Sequence, residues 1–217
     1  MTGLYFNGRN AYVEVPDSES LNITDAITIE AWVKTDDWTQ PDTEIVAKGY
    51  DYRILAFGNG FLVHSYDTDG DLTGVNSGDL THLNGKWVHC VGQIRKYTGG
   101  WTARVYIDSV LKGEATNTDF DGARVTTSDI TVGRLSTSYF NGTISSVRIY
   151  NRALSQSEIE LLYSNPDYPL TDGLVLWLPM NEHSGNTVYD LSPYGNHGTI
   201  HNAVWAVRAV EHPLHAV

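Results

Sequence analysis

Along the first 150 residues, apolar and polar side chains alternate in short runs separated by turn residues. A period of two is the mark of strands, whose successive side chains point to opposite faces. The segment 26–34 is the clearest case: Ile27, Ile29, Ala31 and Val33 fall on one face, while Thr28, Glu30 and Lys34 take the other with Trp32 among them. Similar runs predict strands over 3–6, 11–15, 44–48, 52–57, 61–66, 87–94, 102–108, 129–134 and 143–150. Gly58-Asn59-Gly60, Asp69-Gly70, Asn84-Gly85, Gly99-Gly100 and Asn141-Gly142 supply residues that tolerate positive φ, so hairpins should be frequent.

The period changes once. Ser155 and Glu158 form a capping box, Ile159, Leu162 and Tyr163 make an apolar stripe, and Asn165-Pro166 ends it, which predicts a short helix over 155–164 on the rim or back of a sheet. A turn-rich connector, 164–173, leads to 174–178 (Leu-Val-Leu-Trp-Leu), apolar on both faces as a strand deep in a sandwich would be. At 217 residues the chain suits one β-sandwich domain: a main body over 1–163, the connector, a C-terminal strand segment over 174–205 that completes the sandwich or is swapped to a neighbour, and a tail over 206–217.

Composition narrows the function. With 41% hydrophobic and 18% charged residues the chain should fold, and its formal charge of -12 opposes phosphate backbones and anionic lipid. Nucleic acid is not an expected partner. Membrane insertion is not expected either, since the longest uncharged apolar run, 174–180, is far short of the roughly 20 residues a spanning helix needs. No basic-then-apolar leader is visible at the N-terminus, and Cys90 stands alone, which leaves no disulfide framework or thiolate cluster.

The chain carries no G-x-S-x-G, H-E-x-x-H or phosphate-binding glycine loop. His89 and Cys90 are adjacent on a predicted strand and so point apart, which reads as core packing rather than catalysis. The acidic run Asp67–Asp71 lacks the glycine and glutamate of a calcium loop and reads as an exposed hairpin turn. His183, His197, His201, His212 and His215 match no metal-ligand spacing and read as a solvated tail.

Several segments together resemble the laminin G-like, concanavalin A-like jelly-roll family. Residues 5–17 (Tyr-Phe-Asn-Gly-Arg-Asn-Ala-Tyr-Val-Glu-Val-Pro-Asp) look like its opening block, 27–33 its "t-i-E-a-W-v" strand, 86–91 (Lys-Trp-Val-His-Cys-Val) its central strand, 105–111 the following hairpin, and 140–154 its closing block. The resemblance implies an all-β fold, a two-sheet antiparallel jelly-roll sandwich with one short helix. It also implies a displaced order, because 174–200 looks like a block that the family places before its opening block. The 174–178 strand then either docks beside 147–150 of its own chain, or starts a further repeat, or is donated to a neighbour.

Functionally, the resemblance implies a non-catalytic binding module for carbohydrate or glycoprotein, in an extracellular, cell-surface or virion setting. The alternative is a structural virion or cell-surface assembly or adhesion protein, self-associating through the C-terminal strand. An enzyme is not expected: the family's hydrolase branch carries E-x-D-x-x-E, and no such string exists here. Sugar recognition would fall to aromatics placed at loops or strand ends, namely Trp38, Tyr50, Tyr52, Tyr66, Tyr97, Trp101 and Tyr139, with Trp32, Trp87 and Trp177 in the core. Relatives hold a structural Ca2+ with an Asp on the closing strand. Ser145 stands at that position, leaving Asp190 and Asn196, with backbone oxygens, as candidate ligands.

Overall fold

The protein is described here as a computed structural model, covering residues 2–168 and 170–206. In chain order its strands are β1 (Gly3–Asn7), β2 (Tyr12–Val15), β3 (Ala26–Lys34), β4 (Thr43–Lys48), β5 (Tyr52–Phe57), β6 (Gly60–Tyr66), β7 (Leu72–Asn76), β8 (Trp87–Tyr97) and β9 (Gly100–Ile107). There follow β10 (Val110–Asn117), β11 (Ile130–Val132), β12 (Arg134–Leu135), β13 (Ser138–Tyr139), β14 (Asn141–Tyr150), β15 (Leu174–Leu178), β16 (Thr187–Val188), β17 (Gly198–His201) and β18 (Val204–Ala206), with helix α1 (Gln156–Ser164) between β14 and β15.

Two antiparallel eight-stranded sheets face each other. Sheet I runs β10-β9-β8-β3-β14-β1-β18 with β15 also on β14, and sheet II runs β16-β17-β2-β11-β4-β5-β6-β7. The alternation of β3 works as its pattern requires. Ile27, Ile29, Ala31 and Val33 enter the core between the sheets, where they join Val88, Cys90, Ile144 and Ile149 from sheet I and Val13, Ile54, Val63 and Val132 from sheet II. At Gly92 the layers approach so closely that a Cβ would lie 2.6 Å from the Ile54 side chain and 2.7 Å from that of Val63, so only glycine fits there.

The C-terminal segment is stitched into both layers. Along one edge of β14, residues 141–144 pair with β1 and residues 147–150 with β15 of the same chain. A bulge at Ser146, with φ of 45°, marks the change of partner. β17 then pairs with β2 in sheet II, and β18 with β1 in sheet I. β15 is apolar on both faces because Leu176 and Leu178 enter the core while Leu174 and Trp177 pack with a second apolar cluster under α1, made with Val91, Tyr106, Tyr150, Ile159 and Leu162.

The capping box of α1 forms as the residues require, Ser155 accepting from the Glu158 backbone and Glu158 from that of Ser155. The helix roofs the outer face of sheet I, so Trp32 is buried there against Tyr163, at 5.7 Å between ring centres, rather than in the inter-sheet core. Trp87 and Trp177 are only half-buried. β7, β10, β12, β13 and the short terminal strands lack predicted counterparts. As edge or two- to four-residue strands, most bury too little of either face to impose an apolar alternation.

Candidate functional site

Among the described residues, no α-helix lies over the outer face of sheet II. Strands β5 and β6 are joined by the two-residue turn Gly58-Asn59, both at positive φ (54° and 70°), which fixes the register Arg53↔His64 and Leu55↔Leu62. Alternation then puts Arg53, Leu55 and Phe57 of β5 on the same outer face as Leu62, His64 and Tyr66 of β6. With Glu44 of β4, Leu72 of β7, Tyr50, Asp42 and the β12–β13 hairpin, they line an open groove of about 510 Å3, within the size range of small-molecule sites.

Its rims are apolar and exposed. Tyr50, Phe57 and Leu72 are each more than two-fifths accessible, and Tyr50 and Tyr66 meet edge to face with ring centres 5.9 Å apart. The guanidinium of Arg53 lies 4.7 Å from the centre of the Tyr50 ring, and Arg124, paired with Asp51 at 3.4 Å, sits 5.6 Å from Tyr50 and 5.9 Å from Tyr66.

The floor is polar and tightly arranged. Arg53 donates from Nη1 to Glu44 Oε1 at 2.7 Å and from Nε to Nε2 of His64. Glu44 and His64 are buried, and the second carboxylate oxygen of Glu44 has no protein donor. Burial pushes the Glu44 carboxyl up to about 7 despite the neighbouring Arg53. Burial, helped by the Arg53 charge, takes the His64 imidazole down to about 3, so it is a neutral acceptor near neutrality. The arrangement is a guanidinium held in place from two sides beneath aromatic shoulders. A shallower depression that shares Asp42, Thr137 and Ser138 continues the groove past the β12–β13 hairpin toward Tyr139 and Asn7.

Of the aromatics expected to meet ligand, Tyr50 and Tyr66 lie in this groove and Tyr139 in its extension, while Tyr97 stands exposed at the β8–β9 turn. The expectation is corrected for Trp38, Tyr52 and Trp101, which are core residues accessible to 4% or less. All three join the inter-sheet core, Tyr52 on the inward face of β5 with Ile54 and Ala56 and Trp101 on that of β9 with Ala103 and Val105; the Trp38 backbone N–H donates to Asn84, Tyr52 donates its hydroxyl to the Leu21 carbonyl, and Trp101 packs edge-on to Phe120. Glu44, Arg53, His64, Phe57 and Leu72 are the site residues that loop-based reasoning missed. Their signal was the two-residue turn, which sets the register and thereby the common face.

The Asp190–Asn196 loop does not fit a calcium site. Asp190 Oδ1 accepts from the backbone of Trp177 and Ser192, both at 2.8 Å, and Oδ2 from the Ser192 hydroxyl at 2.6 Å and the Asn196 backbone at 2.7 Å. The Asn196 amide donates to Ser20 and to the Val175 carbonyl. A cation would have to displace these donors, and the pair serves instead to clasp the loop to β15. Among the described residues, no group of three or more His, Cys, Asp or Glu is placed to hold a metal. Asp67 likewise spends its carboxylate on the backbone of Asp69, Asp71 and Asp121, organising the β6–β7 hairpin turn. His197 accepts from the Asp190 backbone and His201 stacks on Tyr12, so these two are not a solvated tail; His212 and His215 lie outside the described residues.

Residues 7–160 match the profile of the concanavalin A-like lectin/glucanases superfamily. No curated protein matches the chain. Among solved structures, a candidate carbohydrate binding protein from Bacteroides ovatus ATCC 8483 aligns over 95% of this chain and 61% of its own length, at 15% identity and a TM-score of 0.73. The binding domain of botulinum neurotoxin serotype G aligns over 74% of this chain and 41% of its own, at 17% identity and a TM-score of 0.58. The serotype D ligand binding domain, solved with N-acetylneuraminic acid, covers 70% and 39%, at 18% identity and a TM-score of 0.54. The chain thus spans about three fifths or less of the length of these structures, and at such identities the likeness is one of fold.

Proposed function

The chain belongs to the concanavalin A-like lectin/glucanase superfamily, and from that premise we propose that it is a non-catalytic module that binds carbohydrate in the groove on the outer face of sheet II. The observation that carries this reading is the pairing of aromatic rims, exposed Tyr50 and Phe57 with half-buried Tyr66, with a floor of oriented hydrogen-bonding groups centred on Arg53. A pyranose has apolar C–H faces and a girdle of hydroxyls. Rings stack on the first, and fixed donors and acceptors take the second.

Solved structures of similar fold include proteins described as binding carbohydrate or N-acetylneuraminic acid, which supports the reading. The continuation of the groove past Ser138 suits an oligosaccharide longer than one ring. A single open site of this kind gives modest affinity, so display in several copies would be the route to tight binding.

Of the two carboxylates lining the groove, Glu44 is tied to Arg53 and Asp42 is exposed. The test is a glycan array with wild type, Tyr50→Ala and Tyr66→Ala. Binding by wild type that falls about tenfold in either variant, with unchanged melting temperature, is the expected result. Binding that ignores both substitutions would move the site elsewhere.

A further inference from the structure

Resting on that reading of the groove, we infer that Glu44 is a specificity-determining residue, which cancels the charge of Arg53 and so selects uncharged glycans over acidic ones. Among the described residues, Arg53 is the only cation lining the groove, against the two carboxylates of Glu44 and Asp42. A second guanidinium beside the rim, that of Arg124, is turned to Asp51 and to the faces of Tyr50 and Tyr66. His64 carries no compensating charge, because it accepts from Arg53 through Nε2. An acidic sugar entering the groove would therefore lose its hydration beside an arginine already paired at 2.7 Å and a carboxylate at the mouth.

A neutral sugar meets no such penalty. Its hydroxyl oxygens accept from the remaining N–H groups of Arg53, and its hydroxyl hydrogens are donated to Asp42 or to the hydroxyls of Ser136, Thr137 and Ser138. The buried Glu44 oxygen that lacks a donor fits this role. A carboxylate retained there without full hydrogen bonding is a cost to the fold, and neutralising Arg53 is what it returns. The charged and titratable groups facing Glu44 are Arg53 and Asp42, with His64 behind Arg53. With the Glu44 carboxyl near 7 and His64 neutral down to about 3, acidification from pH 8 to pH 6 titrates Glu44 in this floor and leaves His64 unchanged.

The experiment is a panel of neutral glycans printed beside their sialylated counterparts, probed at pH 8 with wild type and Glu44→Gln. Wild type should prefer the neutral member of each pair by about tenfold, and Glu44→Gln, with Arg53 uncompensated, should erase or reverse that preference. Should Glu44→Gln fail to fold, wild type at pH 6 supplies the same protonated floor, and its preference should shrink relative to pH 8. Wild type binding sialylated glycans as well as neutral ones at pH 8, with binding lost in Tyr50→Ala, would overturn the role of Glu44 while leaving the groove as the site. An unchanged ratio in Glu44→Gln would do the same. Absence of any glycan binding would overturn both.

Discussion

Each sheet of this sandwich carries, on its outer face, a glutamate, an arginine and a histidine in contact, and the two trios behave differently. In sheet I, Glu30 of β3 lies directly across from Arg148 of β14, which reaches both carboxylate oxygens at 2.9 and 3.1 Å, and His89 of β8 adds a contact at 3.1 Å. Arg148 also donates to the Pro166 carbonyl and lies over the Trp177 ring at 4.5 Å. Burial raises the Glu30 carboxyl, but Arg148 and His89 together hold it below its ordinary range. In sheet II the arginine reaches one oxygen of Glu44, the other has no donor, and burial prevails. In the first trio both carboxylate oxygens have donors and α1 roofs the site; in the second one oxygen has none and the site opens to a groove. The same residue types close a packed face where the carboxylate is fully engaged, and floor an open groove where it is not.

The sharpest way to break this contrast is to remove each arginine. Arg148→Ala should cost about 3–5 kcal/mol in urea denaturation at pH 7, because it strands a buried carboxylate. Arg53→Ala should cost only about 1 kcal/mol, since Glu44 can take up a proton instead. Equal costs would make the groove trio a staple as well.

The pH dependence should differ too. A raised Glu44 pKa means that its contribution is fully present below its unfolded value of 4.5 and is lost as pH rises through about 7. The depressed His64 works the other way, its contribution being present above 6.5 and lost as pH falls toward about 3. Between 4.5 and 6.5 the two oppose each other. His64→Gln removes the second, so its melting temperature should rise relative to wild type as pH falls from 7 to 4.5; parallel curves would refute the assignment.

Smaller effects mark the periphery. Ser155→Ala removes the helix cap and should cost about 1 kcal/mol, loosening the roof over Glu30 without touching glycan binding. Leu72→Ser on the groove rim should change stability by under about 0.5 kcal/mol yet weaken binding several-fold, as differential scanning fluorimetry and array titration would show.

Much of the sandwich was legible in the chain. The alternation of 26–34, the capping box at Ser155 and the double-sided apolar run at 174–178 each dictate local structure through side-chain period and backbone hydrogen bonding, and each forms in place. The groove was legible only in part. Tyr50 and Tyr66 stand where an aromatic at a strand end should, but Trp38, Tyr52 and Trp101 follow the same local rule and are buried in the inter-sheet core, Tyr52 and Trp101 because they fall on the inward faces of β5 and β9. Asp190 and Asn196 look like cation ligands until the backbone donors around them are seen.

The covalent order of side chains along each pleat sets which strand faces are apolar, where the helix starts, and that two layers must close on one another. Which outer face would be roofed, and hence which Glu-Arg-His trio would become a staple and which a groove, was decided by the tertiary structure. That choice depends on where the connector after β14 returns α1, across sheet I and not sheet II, and such a long-range placement has no signature in the local alternation of either sheet.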